Sequence, residues 1–93
     1  MIGLLTLHLH LTGCASLKEK RGRLKPLIHR LHREFNISVA EMDLQDKWQH
    51  AIITCAQVGN DAACLQSTLE TVRRWAEAHW TDGDVLDTKI ELM

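Results

Sequence analysis

Tyrosine is absent from this chain of 93 residues, and phenylalanine occurs once, at Phe35. The apolar stretches "LLTLHLHL" and "AIITCAQV" contain no Phe, Tyr or Trp. That excludes an RNA-recognition motif, which stacks bases on aromatics of its central strands. Proline also occurs once, at Pro26, and no Gly-, Pro- or Ser-rich tract, repeat or low-complexity segment interrupts the chain. Nothing marks a linker, so residues 1–93 are expected to form a single domain. Cys14, Cys55 and Cys64 are odd in number and lack C-x-x-C spacing. A disulfide framework is therefore not expected, and a reducing compartment fits best. Long hydrophobic runs are missing too. "MIGLLTLHLHL" is too short to span a bilayer and is broken by His8 and His10. It has no basic n-region and no evident cleavage site, so neither a signal peptide nor a membrane partner is expected and the location is expected to be cytoplasmic.

Net charge is nearly absent at −1, but its distribution is uneven. Ser16 to Phe35 holds Lys18, Lys20, Arg21, Arg23, Lys25, Arg30 and Arg33 against Glu19 and Glu34, a net +5. The rest of the chain carries −6. A basic segment set on an acidic body can orient a charged partner.

Periodicity gives the elements. Leu5, Leu7, Leu9 and Leu11 alternate with Thr6, His8 and His10, the period of a half-buried strand. "TGCA" is a turn. Ser16 and Glu19 then form an S-x-x-E capping box that opens a helix. Leu17, Leu24, Leu27, Ile28, Leu31 and Phe35 make its apolar stripe. Lys20 falls on the wrong side of an ideal wheel, and its stem is expected to follow the core edge with the ammonium in water. Pro26 removes one helical hydrogen bond and crowds the carbonyl of Gly22, so a kink or a separate first turn or two is expected near residues 22–26.

"ISVAEMD" and "WQHAIITCAQV" follow as strands joined by "LQDK". Asn60 or Asp61 caps a second helix with Leu65, Leu69, Val72 and Ala76 at helical spacing, and "VLDTKIEL" alternates as a last strand. The order β-α-β-β-α-β predicts an α+β, ferredoxin-like domain: a four-stranded antiparallel sheet with two helices on one face.

The motifs "LTLHLH", "SLKEKR", "ISVAE" and "DLQDKWQ", in this order along the chain, resemble the YlxP-like family of small bacterial proteins. The resemblance runs end to end. It implies a ferredoxin-like fold, a domain of unknown function, and no assigned catalytic residues. It also implies genes often neighbouring those for translation initiation and ribosome-maturation factors, an association that points toward RNA.

Several groups of residues are candidates for function. The basic helix suits phosphate neutralisation by Lys18, Lys20, Arg21, Arg23, Lys25, Arg30 and Arg33, with His29 and His32 adding charge if protonated. The plain alternative is a solvated helix. Cations at a helix N-terminus oppose its partial positive charge, at about 0.3–1 kcal/mol each, so their presence asks for a reason. The turn "TGCASLK" offers free N–H groups for an anion beside Lys18 and Arg21, although no P-loop or dinucleotide fingerprint is present.

In "DLQDKWQH", Asp43, Gln45, Asp46, Trp48 and Gln49 are a candidate recognition loop, with Trp48 stacking on a base. The plainer reading has these polar side chains bonding their own backbone while Trp48 covers a core edge. His8 and His10 share a strand face that His50, with Glu41 or Asp43, could approach from neighbouring strands. Imidazoles and carboxylates can ligate zinc. An uncovered polar sheet face, or a subunit interface including Ile52 and Val39, is the stronger reading, and no metal or cofactor is expected. An acylphosphatase would need an Arg loop with an Asn partner, which "HLTGCAS" does not supply. No nucleophile–base arrangement can be assigned, so the chain is not expected to be an enzyme. The expected function is docking on structured RNA or the ribosome through the first helix. The alternatives are a homo-oligomeric interaction module and a small anion- or nucleotide-binding domain.

Overall fold

A computed structural model describes all residues from Met1 to Met93. The elements are β1 (Ile2–Leu11), α1 (Leu17–Glu34), β2 (Ser38–Asp43), β3 (His50–Val58), α2 (Ala62–His79) and β4 (Gly83–Leu92). They form one sheet in the order β2-β3-β1-β4, with every neighbouring pair antiparallel. This is the ferredoxin-like α+β arrangement expected from the periodicities.

The alternation of β1 sends Leu5, Leu7, Leu9 and Leu11 to the helix-covered face, where all four are fully buried. Each such leucine contributes roughly 1.5–3 kcal/mol of burial. Ala51, Ile53 and Cys55 of β3 lie in the same layer, under Leu24, Leu27 and Leu31 of α1 and Leu69, Val72 and Ala76 of α2. Val39 also packs on this side, so it does not belong to the uncovered face as the subunit-interface reading supposed. Burial pushes the Cys55 thiol up to about 12, so this cysteine is an inert core residue.

Both helices begin as their sequences dictate. Ser16 Oγ accepts from the Glu19 amide at 3.0 Å, and Asp61 Oδ1 accepts from the Cys64 amide at 3.0 Å. α1 runs as one helix from Leu17 to Glu34 through Pro26, rather than as two pieces. A Cβ at Gly22 would meet nothing within 4 Å, so the unbroken helix does not depend on glycine at that position. At the β1 end of the molecule, a side chain on Gly83 would strike the His10 carbonyl. Glycine there lets the turn before β4 close against β1. No helix is long and apolar enough to cross a membrane.

Candidate nucleic-acid interface

The seven cations of α1 separate into distinct roles. Lys20 does not reach water. Its side chain is 1% exposed. The ammonium donates to the Leu44 carbonyl at 2.7 Å and to the Lys47 carbonyl at 2.8 Å. It also lies 2.8 Å from Glu41 Oε2, a buried oxygen that receives no hydrogen bond, so that contact is an ion pair. Lys20 is therefore a strut between α1 and the β2–β3 loop, not a phosphate ligand. Its place inside the apolar stripe was the signal for this role.

Arg23 is also committed within the chain. It donates to the Thr12 carbonyl at 2.9 Å and the Asp82 carbonyl at 2.6 Å, and its Nε lies 3.4 Å from Asp82 Oδ2. These contacts tie the turn after β1 to the turn before β4. Arg30 sits over the Trp75 ring, 5.1 Å from its centroid, a cation–π contact that holds its head against α2. Arg33 is exposed and paired only loosely with Glu34, at 3.9 Å.

Lys18, Arg21 and Lys25 remain. All three are exposed, and they fall at i, i+3 and i+7 on one outward face of α1. Along the helix they span about 10 Å at 1.5 Å per residue. None has a hydrogen-bonding or ion-pairing partner in the chain. His29 and His32 continue the same outward surface.

The turn leading into α1 is partly capped from within the chain. Glu19 Oε2 accepts from the Ala15 amide at 2.7 Å, completing the capping box, and this bond pulls the Glu19 carboxyl below its usual range. With the Glu19 amide held by Ser16 Oγ, two of the N–H groups beside Lys18 and Arg21 are already used inside the chain.

The β2–β3 loop is held from its backbone. Asp43 Oδ1 accepts from the Leu44 amide at 2.8 Å, Leu44 takes a positive φ of 59°, and the Lys47 amide returns to the Leu44 carbonyl at 2.9 Å. Gln45, Asp46 and Gln49 make no side-chain hydrogen bond and are exposed. Trp48 is 53% exposed, so it does not cover a core edge. It stands at a shallow depression lined by Asp46, Lys47, Gln49 and His50.

On the uncovered sheet face, register brings His10 opposite His50 and His8 opposite Ile52. Glu41 does not join them, because it faces the other side of the sheet toward Lys20. His8 Nε2 and His50 Nδ1 are 3.2 Å apart, and the His10 and His50 ring centroids 5.4 Å. Partial burial, then the neighbouring His8, His10 and Lys20, pull the His50 pKa down. A base with a lowered folded pKa binds fewer protons than the unfolded chain just below pH 6.5, so stability falls as pH falls through that window. Thermal melts are expected to show a lower Tm at acidic pH, and His50→Gln should flatten that dependence. A wild-type Tm that rises on acidification would contradict it.

A family profile described as "Protein of unknown function (DUF503)" matches residues 2–90. The chain belongs to this family. A comparison with curated proteins finds "Uncharacterized protein YlxP" of Bacillus subtilis (strain 168), 33% identical over 72 residues, which is 77% of this chain and 78% of that relative. The DUF503 description assigns no activity, so function has to be argued from the surface. Within this DUF503 chain, "SLKEKR" and "QDKWQ" are two ends of one device: Lys20 from the first grips Leu44 and Lys47 around the second.

Proposed function

We propose that the protein docks on structured RNA, such as a ribosome or its precursor, without catalysing a reaction on it. The observation that carries this reading is the outward stripe of Lys18, Arg21 and Lys25 along the first half of α1, three exposed cations with no partner in the chain, of which Lys18 stands in the first turn where a cation is unfavourable. A phosphate backbone turns that cost into attraction through counterion release. The loop presenting Trp48 adjoins the same helix through Lys20 and can add stacking on an unpaired base. Asp84, Asp87 and Glu91 of β4, against the single cation Lys89, share the uncovered sheet face with His8 and His10, away from α1, and would keep that side turned from RNA.

The test is binding to ribosomal RNA, or to isolated ribosomal subunits, across a salt series. Three phosphate contacts predict a fall of log K with log salt of slope about −2 to −3. No binding at low salt, or binding indifferent to salt, would remove this reading. A second reading, self-association through the uncovered face, rests on the half-buried Leu4 and Ile52 and the exposed Met42 there. Light scattering decides it, because a strict monomer at high concentration excludes it.

A further inference from the structure

We propose that His8, His10 and His50 form a binding site for a divalent late first-row metal ion, with zinc as the type case. This inference is independent of RNA docking. Two ligands on a tetrahedral zinc, each about 2.0–2.1 Å from the ion, have nitrogens roughly 3.3–3.4 Å apart. His8 Nε2 and His50 Nδ1 already face each other at 3.2 Å. Without an ion, one of these nitrogens carries a proton that the other accepts. A tautomer shift moves that proton to the far nitrogen of its ring, and a turn of both rings then aims the two freed lone pairs at one point.

His10 supplies the third nitrogen. It lies two residues from His8 on the same strand face and directly opposite His50 across the β1–β3 pair. Its Nδ1 is 3.7 Å from Asp84 Oδ2. A ligand histidine commonly gives its other ring N–H to a carboxylate, which fixes the tautomer and orients the ring. Asp84 can do this for His10 and leave Nε2 free to ligate. As the side chains stand, no three His, Cys, Asp or Glu groups surround one point. Rotation of His10 about its side-chain bonds completes the set, and the uncovered face leaves the fourth position to water.

Asp84 stands opposite His10 and Asp87 opposite His8 on β4, so two carboxylates share this face with the histidines.

The experiment is a cobalt titration of the full chain without an affinity tag, followed by zinc competition. One equivalent of cobalt should bring the visible bands of a tetrahedral site, and zinc should abolish them. His8→Ala or His50→Ala should remove the bands, and Asp84→Asn should weaken binding about tenfold to a hundredfold. Three results would overturn the proposal: no bands at millimolar cobalt, bands that survive the double His8→Ala/His50→Ala change, or bands lost on Cys64→Ser. Imidazole nitrogen NMR of the unaltered protein with zinc gives a reading free of folding effects. Changes should centre on His8 Nε2 and His50 Nδ1, and changes confined to His29, His32 or His79 would count as refutation.

Discussion

Replacing Lys20 with methionine is expected to lower the unfolding free energy by about 3–5 kcal/mol, the range for breaking a buried ion pair from one side. Three groups depend on the one ammonium: the Leu44 and Lys47 carbonyls, which accept its hydrogen bonds, and the Glu41 carboxylate, its ion-pair partner. Methionine fills the aliphatic space but leaves Glu41 as a largely buried charge with no partner, its side chain only 19% exposed. At 4–8 °C per kcal/mol for a small domain, Tm should drop by roughly 12 °C or more. The double change Lys20→Met/Glu41→Leu should recover much of the loss, because replacing both partners with apolar groups removes the stranded charge. A single-variant loss below about 1 kcal/mol, the scale of an exposed surface pair, would contradict the strut assignment.

The second large effect concerns RNA affinity. Neutralising Lys18, Arg21 and Lys25 together to alanine should weaken binding roughly a hundredfold to five-hundredfold at 0.1 M salt. Each lost phosphate contact removes about 0.7–0.9 from the slope of log K against log salt, so three lost contacts flatten it by about 2–3 units. Stability should change little, since none of the three side chains has a partner to lose and each is exposed. Lys20→Met separates the two roles. Measured where it remains folded, it should leave the salt slope unchanged, because its ammonium never reaches a phosphate. A slope reduced by Lys20→Met as much as by one of the stripe substitutions would place Lys20 at the RNA after all. Equal affinity for wild type and the triple variant would remove the stripe from the interface.

The fold was legible because its signals are local. Leucines alternating through β1, the capping serine at Ser16 and aspartate at Asp61, and the 3–4 spacing of Leu65, Leu69, Val72 and Ala76 each report on a few neighbouring residues. The site was legible only in part, because charge says nothing about what a long side chain reaches. Lys20 and Arg23 looked like members of one basic surface. Their partners lie more than 20 residues away at Leu44 and Lys47, and 59 away at Asp82. The helical wheel did mark Lys20 as misplaced, but not that the loop after β2 would fold back over it. The histidine grouping depended on register: His10 meets His50 because β1 and β3 pair in one alignment, and slipping by one residue would separate them. Trp48 needed the loop itself, whose carbonyls turn inward to Lys20 while the indole is left outside.

The most direct test of the account is an NMR titration of the isotope-labelled protein with a ribosomal RNA fragment at low salt. The perturbed signals should trace Lys18, Arg21, Lys25 and their neighbours on the outer face of α1 and continue onto Gln45–Gln49, with β4 from Asp84 to Leu92 silent. Perturbations centred on β4 and the uncovered sheet face, or none at all at saturating RNA, would contradict it.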